Sequence, residues 1–508
     1  MKLLKIITNR VFLVGVLLLI QLLLIVGILW QFQEYFVYFY AVYVIAALFA
    51  ILSIINSRRN PAYKIAWLIP VMLLPYIGVV IYFIFGHLYV RSDFVNRMRK
   101  VQVAETRAIE QTVEKVALPE NDMDAIIQSN YLTNYGLVPL FKNTKSQYLP
   151  LGEDMFESMK IELEKAEKYI FMEYFIIEKG KMWDEILEIL VRKAEQGVDV
   201  RLMYDDFGCM FTLPHRYDLE LEKMGIKSCV FNPFVPVLSS IFNNRNHRKI
   251  TVIDGKVAFT GGANLADEYI NQIDRFGHWK DTAIRLEGEA AWGFTLMFLT
   301  LWDFVRGEND VYEDYHPGHF PELSDDEGFY QPYTDIPFDE ESLSSNVYLS
   351  LINRADHYVY ITTPYLIIDN LLMEALCNAA KSGVDVRIQT PHIPDKWYVH
   401  AVTRSNYDQL IEAGVKIYEY TPGFIHSKTF VVDNEYAVVG SINMDYRSLY
   451  LHIECGVWMY KTTAVQEVYD DFIATQASCQ EITIDEVRRV GWWRHLGRAV
   501  LNVFAPLM

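Results

Sequence analysis

Hydrophobic and polar positions change period along this chain. Over the first ninety residues apolar side chains dominate: Val11 to Trp30, Phe36 to Ile55 and Ile65 to Phe85 are runs without a charged residue. Each is long enough to cross a bilayer, and a cleaved signal peptide would hold only one such run. The pattern predicts an N-terminal α-helical membrane region over residues 1–90 and a linker region over 91–145. From there the period alternates. Met155 to Ala166 reads as a helix, Tyr169 to Ile177 as an apolar strand, Trp183 to Gln196 as an amphipathic helix closed by Gly197, and Val198 to Tyr204 as a strand. The order recurs in Val347 to Ala355, Tyr358 to Thr363, Leu371 to Lys381 closed by Gly383, and Val384 to Gln389. Phe294 to Leu301 is too short to span a membrane and reads as a buried core helix.

The repetition extends to the letters. Gly197-Val-Asp199-Val-Arg201 returns as Gly383-Val-Asp385-Val-Arg387, and Gly225-Ile-Lys227 as Gly414-Val-Lys416, at offsets of 186 and 189 residues. A tandem duplication of one α/β module follows, too long to be a solenoid repeat. The fold class is therefore α/β: two sandwich modules, 146–306 and 336–480, with paired motif strands meeting at a cleft between them. Residues 307–335, rich in acids with Pro and Gly between, read as an acidic linker. Residues 481–508 place Trp492, Trp493, Leu496, Val500, Val503 and Phe504 among Arg489, Arg494 and Arg498 at helical spacing, which suits an amphipathic helix at a membrane interface or docked on the protein's own surface.

Candidate chemistry lies in one duplicated element. His247-Arg-Lys249-x4-Asp254 and His426-Ser-Lys428-x4-Asp433 share the pattern His-x-Lys-x4-Asp, each followed seven residues on by Gly261-Gly-Ala-Asn264 or Gly440-Ser-Ile-Asn443. On a strand, residues two apart share a face, so His247 projects with Lys249 and His426 with Lys428, while Ile250, Val252, Thr429 and Val431 face the core. An imidazole can act as nucleophile or acid, and lysine and amide groups can hold phosphodiester oxygens. One half-site lacks either the attacking group or the proton donor; two complete it.

This pattern resembles the phospholipase D superfamily. The membrane region and the signatures Asn60-Pro61, Leu74-Pro75-Tyr-Ile-Gly78, Thr363-Pro364-Tyr365 and Asn443-Met-Asp445-Tyr-Arg447-Ser448 narrow the resemblance to the bacterial cardiolipin synthases. The resemblance implies that two phosphatidylglycerol molecules give cardiolipin and glycerol through a phosphatidyl-histidine. His247 would be the nucleophile and His426 the acid, or the reverse. Lys249, Asn264, Lys428 and Asn443 would steady the phosphoryl oxygens, with no metal or other cofactor required. Asp281 and Glu454 would orient the imidazoles, and Asp254 and Asp433 support the strands. The run Leu451-His452-Ile453-Glu454 departs from the family's Leu-Asn-x-Glu, and His452 is expected to bind phosphate or support Glu454. Other readings are a membrane-anchored phospholipase D, a transferase with another phospholipid donor, a nuclease, or an inert lipid-binding scaffold.

Charge weighs against a nucleic-acid partner: residues 101–508 carry 36 basic and 62 acidic side chains. Five cysteines without paired spacing indicate neither a disulfide framework nor a zinc site. Basic clusters at Lys2, Lys5 and Arg10, at Arg58, Arg59 and Lys64, and at Arg91, Arg97, Arg99 and Lys100 all want the cytoplasmic side. That is met by two spans and a third segment, broken by Pro70, Pro75 and Gly78, that enters and returns. A multi-pass cell-membrane protein with a cytoplasmic catalytic part is expected.

Overall fold

The computed structural model describes residues 36–74, 76–86, 92–233, 243–323, 328–338, 341–489 and 491–507, with isolated helical positions between 16 and 27. The chain divides into two compact units, residues 1–90 with 233–244 and residue 507, and residues 91–232 with 245–506.

In the first unit α1 (Phe36–Asn56) carries no charge over 21 residues. The helix α2 (Pro61–Leu73) starts where the Asn60 side chain accepts from the Ala62 amide and Pro61 occupies the first turn. The short α3 (Ile77–Ile81) runs into a π-turn at Tyr82–Gly86. Gly78 is needed there, because a Cβ would lie 1.9 Å from the Pro70 carbonyl oxygen. The expected third run is thus a broken helix, the first falls largely outside the described residues, and among the described residues no helix is long and apolar enough to cross a membrane.

The second unit opens with α4 (Ser92–Thr112) and α5 (Met123–Tyr135), so residues 91–145 are largely helical and not a simple linker. The first module runs β1 (Thr144–Leu149), α6 (Gly152–Glu164), β2 (Tyr169–Tyr174), α7 (Lys181–Glu195), β3 (Asp199–Asp205), α8 (Tyr217–Lys223), β4 (Lys227–Phe231), β5 (Ile250–Ile253), β6 (Val257–Gly261), β7 (His278–Lys280), β8 (Ala283–Gly288) and α9 (Ala290–Arg306). The second runs β9 (Phe329–Asp335), α10 (Leu343–Asn353), β10 (Tyr358–Thr362), β11 (Leu366–Ile367), α11 (Asn370–Lys381), β12 (Asp385–Pro391), α12 (Trp397–Glu412), β13 (Lys416–Tyr420), β14 (Gly423–Ile425), β15 (Thr429–Val432), β16 (Tyr436–Gly440), β17 (Met444–Asp445), β18 (Glu454–Tyr460), α13 (Thr463–Gln476) and β19 (Cys479–Glu481). A last helix, α14 (Trp492–Val503), packs on α12.

The two large sheets repeat one order. The first is β1-β8-β6-β5-β2-β3-β4, the second β9-β18-β16-β15-β10-β12-β13 with β19 added at the edge. In each, three parallel strands continue into four antiparallel ones, with β2 pairing antiparallel to β5 and β10 to β15. The correspondence places β9 where β1 stands. The linker reading of 307–335 therefore ends early: Phe329–Asp335 is the opening strand of the second module, paired along its length with β18. Pro332 is tolerated because β9 has a single strand partner within the sheet.

Both faces of each sheet are covered, so the motif strands β5 and β15 are buried at every position. Ile250 and Val252 share one core with Val431, Ala437, Val457 and the helix α9, so the two modules are closed by common apolar packing. Ile170, Met172 and Ile253 turn the other way, onto α6 and α7. Within α9, every residue from Ala290 to Phe304 is buried, confirming and lengthening the expected core helix. Each fully buried Leu or Phe there contributes about 1.5–3 kcal/mol. All five cysteines are free.

Candidate active site

His247 and Lys249 stand just before the sheet ladder, which begins at Ile250, and His426 and Lys428 likewise precede Thr429. The extended backbone keeps the alternation without strand pairing inside its own sheet. Each motif is held instead by the other module. The His247 amide donates to the Ile453 carbonyl at 2.9 Å, and the Ile453 amide to the Arg245 carbonyl at 2.8 Å. In the other half β14 pairs in parallel with β7, and the His426 amide donates to the Lys280 carbonyl at 2.7 Å.

Side chains cross in the same way. Nδ1 of His247 lies 2.8 and 3.0 Å from the two carboxylate oxygens of Glu454, and Nδ1 of His426 lies 2.6 Å from Oδ2 of Asp281. Both carboxylates are fully buried. A histidine held through Nδ1 presents Nε2 as its reacting nitrogen. Ser441 donates to Glu454 at 2.5 Å, while its counterpart Gly262 has no room for a side chain, since a Cβ would sit 2.1 Å from Oδ1 of Asp281. The small residues of the trailing elements thus give each carboxylate its place.

Burial controls the charges. It draws His247 down to about 3 against the raising pull of Glu454, and His426 down to about 4, aided by Lys428 and opposed by Asp281. Burial pushes the Glu454 and Asp281 carboxyls up, but the histidine and lysine beside each overcome it, and both end below the usual carboxylate range. In the free enzyme burial thus disfavours the charged imidazole at both positions, while the carboxylate beside each favours it. The same burial lowers Lys249 to about 8 and Lys428 to about 7, partly offset by the carboxylates. Lys249 Nζ donates to the His247 carbonyl at 2.6 Å and Lys428 Nζ to the His426 carbonyl. Each lysine is thereby tied to the backbone of its own histidine.

The remaining expected residues divide. Asp254 accepts from the amides of Glu167, Lys168 and Tyr169, and Asp433 from those of Asp356, His357 and Tyr358, all within 3.0 Å. Their carboxylates hold the starts of β2 and β10, which is structural work. Asn264 accepts from the Ile176 amide and donates to the Tyr269 hydroxyl at 2.7 Å, so its oxygen and one N–H of its amide are engaged within its own module. The Oδ1 of Asn443 is buried without a partner among the described residues. His452 lies in a bend ahead of β18; its Nδ1 is 3.8 Å from Glu454 and its ring 5.6 Å from that of His247. Neither ring nitrogen has a hydrogen-bond partner among the described residues. Donor atoms of His247, His452 and Glu454 lie within 4.8 Å of one another, a spacing a metal ion could also use.

Sequence reasoning missed the support behind His247. Arg248, between the two motif residues, points away and meets Glu173 at 2.8 and 3.0 Å, both side chains fully buried. Asn246 donates to the same carboxylate at 2.5 Å and its amide to Asp205 at 3.0 Å. The available signal was Glu173 alone in the apolar run Tyr169–Tyr174. The second module has Thr362 and Ser427 at the corresponding places. The rings of Phe175 beside His247, and of Trp279, Tyr269 and Phe424 beside His426, stand 5.0–5.8 Å from the imidazoles.

Comparison with known proteins meets this geometry. Residues 159–274 and 348–475 match the family described as cardiolipin synthase, PLD-like domain, and residues 45–87 the phospholipase D-nuclease N-terminal family. An uncharacterised protein of Streptococcus mutans is 43% identical over 465 residues, covering 90% of this chain and 99% of that protein. Cardiolipin synthases of Halalkalibacterium halodurans and Geobacillus kaustophilus are each 33% identical over 470 residues, covering 91% of this chain and 92% of theirs. Phosphatidylserine synthase of Haemophilus influenzae has a similar fold, with a TM-score of 0.58 at 17% identity over 75% of this chain and 97% of that one. With its duplicated matches and relatives over nine-tenths of its length, the chain belongs to the cardiolipin synthase family of the phospholipase D superfamily.

Proposed function

We propose that the protein transfers a phosphatidyl group from one phosphatidylglycerol to the hydroxyl of a second, giving cardiolipin and glycerol. The observation that carries this reading is the crossed pair of buried histidine–carboxylate contacts, one attacking and one proton-handling group held at a single site. Nε2 of His247 attacks phosphorus, the bond to the glycerol oxygen breaks, and His426 gives that oxygen a proton. His426 then takes the proton of the incoming hydroxyl, whose oxygen attacks phosphorus and releases His247. Lys249, Lys428 and Asn443 steady the phosphoryl oxygens. The incoming phosphodiester brings negative charge beside the imidazoles and strengthens the hold of His426 on the proton it donates, while His247 attacks with Nε2 unprotonated.

Pure phosphatidylglycerol incubated with the enzyme should yield cardiolipin and glycerol in equal amounts, and labelled glycerol should enter phosphatidylglycerol when cardiolipin is supplied. Phosphatidic acid as the main product would favour a phospholipase D in its place.

Membrane attachment belongs to the same proposal. Val42, Ile45, Phe49 and Leu52 of α1 face outward in a helix without charge, a surface that lipid can cover. The three apolar runs and basic clusters support a multi-pass anchor with a cytoplasmic catalytic unit, and the exposed Trp492, Trp493, Leu496 and Val500 support an interfacial α14. A Val311→Cys variant stripped of native cysteines tests the sidedness. Labelling by an impermeant reagent in intact cells would place the catalytic unit outside.

A further inference from the structure

The duplication has a consequence beyond the catalytic groups. In each module the second strand from the motif-bearing hairpin, β3 or β12, ends on the side of the sheet where the histidine stands; Asp205, the last residue of β3, accepts from the amide of Asn246. Six residues beyond the end of β3 comes Phe211, and six beyond the end of β12 comes Trp397. They are 75% and 72% exposed, among the most exposed large apolar side chains of the second unit. A single exposed aromatic is unremarkable. Two at matching places of a duplicated module, one on each side of the active site, require a reason.

Both loops are fixed against the chemistry. In the first, Asp205 accepts from the amides of Phe207 and Gly208, Cys209 donates to the carbonyl of Phe175, and the Phe175 ring lies 5.0 Å from that of His247. Gly208 permits this approach, for a Cβ would sit 2.0 Å from the same carbonyl. In the second, Tyr365 donates to Asp395, Lys396 lies 5.5 Å over the Tyr365 ring, and Phe424 links that ring to His426. The loops are therefore anchored beside the histidines and hold a large apolar side chain in water.

Charge and continuity indicate what covers them. Residues 101–508 are strongly acidic, yet Asp206 to Arg216 holds one acid and one arginine, and His392 to Tyr398 one acid and one lysine. These are places where an acidic body can approach an anionic surface without a charge penalty. Phe207 and Tyr398 extend the apolar surface beside Phe211 and Trp397. Trp397 opens α12, the helix on which α14 packs with Trp492 and Trp493 outward.

We propose that Phe211 and Trp397 are paired docking points by which the catalytic unit rests on a phospholipid surface, one beside each histidine, so that lipid enters the site without passing through water. The inference rests on the proposed transfer between phospholipids for its occupant. Aromatic side chains suit the headgroup level, where an apolar ring meets a wet boundary.

The test uses the full chain reconstituted in phosphatidylglycerol-containing liposomes. A polarity-sensitive fluorophore is placed at Phe211→Cys, Trp397→Cys or, as control on the outer helix α6, Ile161→Cys, in a Cys479→Ser background. Labels at 211 and 397 should shift to the blue and be quenched by lipids carrying a quencher near the headgroup, while the label at 161 stays wet. Equal wetness at all three positions overturns the proposal, as does a dry environment that persists in detergent and varies with protein concentration, which would mean contact between copies. In a second arm, Phe211→Ser with Trp397→Ser should lower kcat/KM on liposomal substrate at least about tenfold while changing turnover of monomeric short-chain phosphatidylglycerol by less than about twofold. Equal losses on both substrates would make these residues part of the site and overturn docking. If the unaltered chain turns over neither substrate, the transfer reading fails, while the fluorescence arm still decides whether the loops meet lipid.

Discussion

Oδ2 of Asp281 lies 2.6 Å from Nδ1 of His426, although the two belong to different modules. Glu454 returns the relationship to His247, so neither motif histidine finds its carboxylate partner in its own module. Each carboxylate fixes a tautomer and stabilises the imidazolium that forms in turnover. Asp281→Asn and Glu454→Gln keep shape and lose charge, and each is expected to lower kcat by about 10²–10⁴ with the fold retained. Product formation and the melting temperature check both points together. Activity within tenfold of the parent in either variant would mean that the pairing is structural.

Gly262 offers a gentler probe of the same geometry. A Cβ there would meet Oδ1 of Asp281 at 2.1 Å and the carbonyl of His426 at 2.9 Å. Gly262→Ala should therefore displace the carboxylate and cost at least about tenfold in kcat. Ser441→Ala, which removes the hydroxyl that donates to Glu454 and accepts from the Cys455 amide, should cost less. The reverse ranking would contradict the role assigned to the two trailing elements.

Much of this site was legible because duplication shows twice what chance shows once: His247, Lys249, His426 and Lys428 are found by spacing alone. What escaped depends on contacts that spacing does not encode. The strand β9 reads as linker because Gln331 and Pro332 interrupt it, yet Gln331 is buried, its Nε2 donating to the Thr133 hydroxyl and the carbonyls of Ser129 and Val138. The helix α4 reads as solvated from its charges, but Met98, Val101 and Ala108 face the core and Thr112 accepts from the Trp292 indole. Asn264 and Asn443 are equivalent in sequence and unlike in structure, since only the first meets a tyrosine hydroxyl.

Arg248 and Glu173 form a fully buried ion pair behind His247. Removing one partner strands the other's charge, so Arg248→Ala is expected to destabilise by about 3–5 kcal/mol. Arg248→Met with Glu173→Leu removes both charges and should recover most of that loss. Denaturant melts of the catalytic unit's signal in the full chain measure each. A single variant as stable as the parent would show that water reaches the pair.

His452 stands beside Glu454 without a hydrogen bond to it, at 3.8 Å. A residue that only supports the carboxylate can be replaced, so His452→Asn should keep most activity. Complete loss would make His452 a proton donor. Because its nitrogens, with His247 and Glu454, also have the spacing of a metal group, the same assay in excess chelator is informative. Activity that survives fits lysine and amide groups as the phosphoryl clamp, and loss restored at the chemical step by a divalent ion would overturn it.

Proton linkage gives the last test. In the free enzyme burial lowers His426 to about 4 and Lys428 to about 7, so at neutral pH the charged form of each is disfavoured. A bound phosphodiester favours the charged form of both and raises both values. Groups whose pKa rises on binding take up protons between the old value and the new one, and binding is strongest below that window. A short-chain phosphodiester analogue should therefore bind with net proton uptake at pH 7 and weaken as pH rises. Calorimetry in buffers of different ionisation enthalpy measures the protons directly. Lys428→Arg, charged throughout, should flatten the alkaline part of the affinity curve while leaving uptake by His426. Proton release on binding, or affinity independent of pH, would contradict the downward pull of burial on His426 and Lys428 in the free enzyme and with it the gain in proton hold on binding.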